Sequence, residues 1–470
     1  MNVIYLILTY ILFNFNYSFS KEITLTLFKE NGLFFIPLSI GSPLQKVKLI
    51  VDLLSNSTWV ASSKCSWFYM YVADNTTMYL EDRSTSLLVS PVHKESRKEA
   101  YILKGEGSVS YDYFFLGSNS SEFNHSFILA NYFISEIPSN GVLGLDKANS
   151  SVYTNSSSDG DVLPLLDSLY LNKMIDKKIL SINTTNNIMT LGEYPSIPIG
   201  SLYNYSTCSN TNLTYDNTFI INQMDNVNSH WICKLSRVFT GDLTQLNAIT
   251  LDKVMLFSST ITGMLISHDY LPYFERNFFY GFSVSSCLKS EYGNTFVYAC
   301  HKSFNISILP VVNFEIDNWV YTFNPEKLFT ENRTRDYYYE TSTSPDTIIN
   351  EKDYNFFKIR FVNRHKYNMN YSIIGIDMFD DTIVFDKEKD EIGFYTNNKI
   401  HKKDLIYPAP GMSLVILLVI IICSFFGFVI SMVIGYVCYL HFFKGRERIY
   451  QVEMSRDIDE YEDGNQIKQI

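Results

Sequence analysis

Few side chains in this 470-residue chain stand in patterns that do chemistry, and the first is a carboxylate. Asp52 follows QKVKLIV, where alternation runs into an unbroken apolar stretch, so the acid is expected at the end of a buried strand. A carboxyl so placed works as an acid or base only if burial and neighbouring groups set its proton affinity. The second feature is the GEGS segment, Gly105, Glu106, Gly107 and Ser108, with Lys104 before it. It lacks the Lys-Ser/Thr pair of a phosphate loop and lies in a Tyr- and Phe-rich hairpin pattern, not between a strand and a helix. The eight histidines, His93, His125, His230, His268, His301, His365, His401 and His441, have no metal-ligand spacing and read as isolated surface or packing residues. There is no CxxC pair and no Gly-x-Ser-x-Gly elbow. No metal and no cofactor is implied.

Positioning Asp52 falls to strands. Hydrophobic residues are 46% of the chain and aromatics 16%, with 34 Tyr and 35 Phe, a composition that suits pleated, half-buried surfaces. EITLTLFKENGLFFIPLSIG reads as a strand pair around the Asn31-Gly32 turn signal. Asn149 to Asp161 reads as a polar loop, and Val162 to Ile175 as a helix with Pro164 near its start and an apolar face of Leu165, Leu166, Leu169 and Met174. Strand signals resume at Trp231 and run to Phe394, interrupted by the polar stretch Thr330 to Lys352. The expectation is an all-β protein of two lobes, residues 21–205 and 225–400, with a polar linker or insertion at 206–224. The net charge of −11 weighs against nucleic acid as a partner.

The two ends have their own character. Residues 1–20 carry an apolar stretch from Val3 to Phe15 that fits a secretory signal peptide. Residues 411–440 contain no charge, and as a helix would be about 45 Å long, enough to cross a bilayer. A juxtamembrane stalk at 401–410, a transmembrane helix at 411–440 and a cytoplasmic tail at 441–470 follow, a single-pass type I arrangement in the endoplasmic reticulum, secretory pathway or cell surface. The lipid bilayer is then a partner. Tyr450, Tyr461 and the acidic cluster Asp457 to Asp463 suit cytosolic sorting adaptors, beside the plainer reading of a solvated tail.

Asn75, Asn119, Asn124, Asn149, Asn155, Asn183, Asn204, Asn212, Asn305, Asn332 and Asn370 are glycosylation candidates; Asn56, also in a sequon, is expected to stay unmodified. Cys423 and Cys438 fall in the span, leaving Cys65, Cys208, Cys233, Cys287 and Cys300 for an oxidising compartment. Two disulfides and one free or intermolecular thiol is the simplest arrangement, with Cys287 to Cys300 as the short-loop pair and Cys208 to Cys233 as the other candidate.

GSPLQKVKLIVDLLSNSTWVASSKC, residues 41–65, resembles the first active-site region of pepsin-like aspartic proteases, matching Gly41, Pro43, Gln45, Asp52, Ser55, Trp59, Val60 and Cys65 without a gap. NGVLGLD at 140–146 is similar to the strand that supports the first catalytic loop. HWICKLSRVFTG at 230–241 resembles the strand opening the second lobe, and Leu309-Pro310, Phe314 and IIGIDMFDDTIVFDKEKDEIGF at 373–394 resemble the closing strands. With the apolar C-terminal run, membrane-bound members of the plasmepsin V and β-secretase type are the nearest comparison. The resemblance implies a bilobal fold with one aspartate from each lobe facing a single water.

The first aspartate is Asp52. The second is expected in VMLFSSTITG, which aligns Ser258 and Thr260 and puts Phe257 at the aspartate. Leu53 stands where the family has a Thr that cross-links the two loops, with Ser258 as the partner hydroxyl, and Leu54 and Ser259 stand where it has glycines. Lys104 replaces the flap Tyr before Gly105 and Gly107, and an ion pair from Lys104 to Asp52 stands beside the reading of Lys104 as a solvated flap-tip residue. These departures imply a catalytically inactive pseudoprotease that binds peptide or protein ligands. The alternative is an aspartic-type endopeptidase, which another acid facing Asp52, such as Asp252 or Asp269, would revive.

Overall fold

The computed structural model describes residues 21–30, 32–67, 78–99, 102–117, 122–134, 139–147, 162–195, 204–209, 230–241, 248–281, 286–292, 295–331, 351–363, 371–396, 399–402, 427 and 430–439. The chain divides into two units, 1–403 and 404–470.

In the first unit the described residues form three sheets. An eight-stranded sheet holds the first half, with Gln45–Asp52 between Leu33–Ile40 and Gly141–Gly144. A twelve-stranded sheet holds most of the second half, with Ala248–Ser258 between Tyr371–Gly375 and Ile232–Thr240. The third has six strands drawn from both halves, in the order Ile23–Thr26, Ile188–Leu191, Ile179–Asn183, Asp381–Asp386, Glu391–Thr396, Asn204–Ser209. The two expected lobes therefore share a sheet. The hairpin at Gly32 is as expected, Phe28–Glu30 pairing with Leu33–Ile40 and Gly32 taking a φ of 83° that suits a residue without a Cβ.

Three boundaries differ from expectation. The helix is shorter, Leu165–Leu171, because Lys173 takes a φ of 56° and the Met174 N–H turns back to the Leu169 carbonyl at 2.9 Å. The linker expected from 206 begins inside the Asn204–Ser209 strand, which pairs with Glu391–Thr396 and is tied to Ile232–Thr240 by the Cys208–Cys233 disulfide. The expected stalk likewise begins inside Lys399–Lys402, paired with Trp319–Phe323. Backbone pairing takes in the first residues of both polar stretches, and the rest of each lies outside the described residues. The second disulfide, Cys287–Cys300, links directly opposed residues of one antiparallel pair, and Cys65 is a buried free thiol.

In the second unit, 430–439 are helical with exposed apolar side chains such as Ile430, Met432 and Ile434. Among the described residues no helix is long and apolar enough to cross a membrane. The expected signal peptide, the expected tail and most of the expected span lie outside the described residues.

Candidate active site

Asp52 ends a strand whose lysines 46 and 48 alternate with buried Val47 and Leu49 before Ile50, Val51 and Asp52 are all covered. Its carboxyl has no exposed surface. Oδ1 accepts from the Leu54 N–H at 2.9 Å, and Oδ2 from the Ser55 hydroxyl at 2.6 Å. From the second half, the Thr260 hydroxyl donates to Oδ1 at 3.4 Å. Burial pushes the pKa of Asp52 up to about 6; the Ser55 and Leu54 bonds pull it down, the Asp146 charge pushes it up, and the Thr260 bond pulls it down.

The second loop is built like the first, but one residue away from where the sequence placed it. Asp52 lies opposite Gly144 in a parallel pair, and Ser258 lies opposite Gly375 in the matching pair. Seven residues beyond Asp52, Trp59 pairs with Val142; seven beyond Ser258, Leu265 pairs with Ile373. A Cβ on Gly144 would stand 2.7 Å from the carbonyl of Ser55, and one on Gly375 would stand 2.2 Å from that of Ile261, each three residues past the matched position. The counterpart of Asp52 is therefore Ser258, not Phe257. Phe257 points the other way, fully buried with ring centroids 6.1, 6.3 and 5.6 Å from Phe379, Phe385 and Phe394.

The same shift reassigns the neighbours. Ser259, not Ser258, links the loops: its hydroxyl accepts from the Leu53 N–H at 3.1 Å and donates to the Val51 carbonyl at 2.7 Å. Ser258 Oγ accepts from the N–H groups of Thr260 at 3.2 Å and Ile261 at 3.0 Å, and lies 2.9 Å from Thr260 Oγ1. Because the Thr260 proton goes to Asp52, the Ser258 proton goes to Thr260. One carboxyl thus ends a chain of two hydroxyls. Leu54, at the position where a glycine was expected, is also buried.

Gly105 and Gly107 lie within the Ile102–Phe115 strand, whose antiparallel pairing with Leu88–Glu99 continues past them to Glu99 opposite Ile102, so GEGS is not at the end of the pairing. A Cβ on Gly107 would stand 2.4 Å from the Leu129 carbonyl, so close strand packing accounts for that glycine. The backbone of Lys104 pairs with Arg97 and Ile134; its side chain, and the ion pair expected from it, lie outside the described residues. Asp269 is bonded to Lys253 at 2.7 Å and to Ser267, and does not face Asp52; the Asp252 side chain lies outside the described residues.

Of the sequons, Asn124 and Asn305 are exposed. Asn183 donates its amide to Thr382 at 3.0 Å, a bond that a glycan on that nitrogen would compete with. Asn56 is half-buried and its Oδ1 accepts from Ser57. Only the backbone of Asn204 is described, and Asn75, Asn119, Asn149, Asn155, Asn212, Asn332 and Asn370 lie outside the described residues.

Two residues beneath the site were not singled out in the sequence as functional. Asp146 is buried, its Oδ2 2.5 Å from His230 Nδ1, where histidines read as isolated packing or surface residues. An acid directly after GVLGL and a histidine directly before the Trp231 strand are the marks that could have drawn attention to them.

No curated protein matches the sequence. A family model of the eukaryotic aspartyl protease domain matches residues 33–394, from the strand preceding the Asp52 strand to the last residue of the closing motif. With both loops held in one arrangement and this match spanning most of its length, the chain belongs to the eukaryotic aspartyl protease family.

Proposed function

We propose that this chain is a catalytically inactive member of its family: a single-pass membrane protein of the plasmepsin V or β-secretase type. Its lumenal or extracellular pepsin-like domain binds peptide or protein ligands. The observation that carries the reading is the partner of Asp52, the hydroxyls of Thr260 and Ser258 in place of a second carboxyl. Peptide hydrolysis by this fold needs two close acids sharing one proton, so that one activates water while the other protonates the carbonyl. A hydroxyl cannot hold the second half of that proton inventory near neutral pH. Asp52 and Ser258 are completely buried and Leu54 and Thr260 beside them are buried too, which weighs against access of an attacking water. The membrane reading rests on the uncharged run 411–440, and the compartment on the leader and sequons.

The decisive experiment incubates the purified full-length protein with a diverse peptide library between about pH 3 and 7. No cleavage is expected. Cleavage that Asp52→Asn abolishes while the fold persists would establish the endopeptidase alternative. In intact microsomes, added protease should spare the domain and remove the tail; the reverse pattern overturns the topology.

A further inference from the structure

The groups beneath the Asp52 loop form a second polar layer that hydrolysis by two aspartates does not use. Asp146 follows the Gly141–Gly144 strand of the eight-stranded sheet, and its N–H donates to the Ser55 carbonyl at 3.0 Å. The neighbouring Leu145 N–H donates to the Asp52 carbonyl at 2.8 Å. Both bonds hold the backbone of the loop that presents the Asp52 carboxyl. From the opposite half, His230 Nδ1 meets Asp146 Oδ2 at 2.5 Å, and Trp231 Nε1 donates to the Leu145 carbonyl at 2.9 Å. The Trp231 carbonyl in turn accepts from the Phe257 N–H at 3.0 Å, one residue before Ser258. Hydrogen bonds from Leu145 and Asp146 on one side and from the adjacent His230 and Trp231 on the other therefore connect, through the backbone of these residues, the loop at 52–55 to the strand that ends in the second loop.

We infer that His230 and Asp146 are positioning residues: an ionic latch that joins the two halves beneath the site, holds the Asp52 loop in place, and slackens when the imidazole loses its proton. The charged groups facing His230 are Asp146, Asp52 and Lys147, and Lys147 is itself turned to Asp390 at 2.5 Å in the turn between two strands of the shared sheet. Burial works against a charged ring, but the Asp146 charge and hydrogen bond, with the Asp52 charge behind them, outweigh it and the opposing Lys147, so the pKa of His230 is raised. A raised histidine pKa gives an interaction at full strength in acid and weakened as pH rises through the folded-state value. The latch is thus tight in acid and slackens only as pH rises above the ordinary histidine range.

The test is hydrogen exchange of the backbone amides in 52–57 and 144–147 of the full-length protein from about pH 5 to 10, corrected for the intrinsic rate. Wild type should lose protection there on the order of tenfold as pH rises, the scale of weakening one charge-assisted bond. Added to Asp52→Asn, which removes the titration of Asp52, His230→Gln keeps a donor for Asp146 but cannot titrate, and should abolish the step. Asp146→Asn keeps an acceptor without the charge and tests the same step from the other partner if the first variant misfolds. Asp52→Asn separates this step from the titration of Asp52 itself and should leave it intact. The latch is refuted if Asp52→Asn shows no step, or if the step survives when His230→Gln or Asp146→Asn is added to it. None of these outcomes depends on whether the site cleaves peptides.

Discussion

The loop at Asp52 and the loop at Ser258 share a frame and differ in the group they carry. Each ends a strand paired in parallel to a Leu-Gly or Ile-Gly strand, and each turns so that its N–H two residues on donates to the side chain at the strand end. In the first loop that side chain is a carboxyl and in the second a hydroxyl. The link between loops survives on one side only, through Ser259, since Leu53 has no hydroxyl to return the contact. The scaffold of an acid pair can thus persist without the pair, because strand pairing and loop hydrogen bonds use the backbone and any small acceptor, whereas the proton chemistry needs one particular group.

The sharpest way to break this comparison is to place an acid at each of the two adjacent positions. Phe257→Asp puts a carboxyl into the Phe379, Phe385 and Phe394 cluster and should cost about 5 kcal/mol or more, leaving no folded protein in a denaturation assay. Ser258→Asp puts it beside Asp52 and should fold. If Phe257→Asp is the tolerated change, Ser258 is not the counterpart of Asp52.

Next in size is the return of chemistry. Ser258→Asp combined with Thr260→Gly, Leu53→Thr and Leu54→Gly restores two acids, the second link between loops and space for water. Peptide cleavage should appear at acidic pH, about 10²-fold or more above the uncatalysed background, the smallest gain expected of correctly placed acid-base groups. Ser258→Asp alone should give much less, because Thr260 and Leu54 still fill the site.

A smaller effect comes from Asp52 alone. Its pKa is raised from 3.8 to about 6, so the folded state holds a proton that the unfolded chain has released. The stability this gives is fully present below about pH 4 and is lost as pH rises to about 6, a total of about 3 kcal/mol. Asp52→Asn should flatten that part of the stability profile measured by urea unfolding. An unchanged profile would mean that Asp52 is already ionised at pH 5. Smallest is Ser259→Ala, expected to cost about 2 kcal/mol by removing both interloop bonds and leaving the Leu53 N–H buried without that acceptor. A cost near zero would show that strand pairing alone holds the loops together.

Much of this molecule could be read before any coordinates. The alternation in QKVKLIVD placed Asp52 at a buried strand end, the Asn31-Gly32 pair marked a hairpin, and the ordered motifs from Gly41 to Phe394 marked the family. Polar segments were harder: STCS, residues 206–209, looked like the start of a linker because its pairing partners in Glu391–Thr396 lie far away in the sequence, in the other half of the chain.

What the sequence determined by itself was composition, pattern and motif order, because alternation and turn chemistry act between neighbours. What only the tertiary structure decided was the register of the second loop and the pair beneath the first. In VMLFSSTITG no acid marks the strand end, so apolar pattern alone leaves the position open by one residue. A slip of one residue in a strand exchanges the core face for the site face, and it took the parallel pairing of Ser258 with Gly375 to send Phe257 into the core. Asp146 and His230, 84 residues apart, meet only because strands of two different sheets end beside one loop, and there burial makes their charges count.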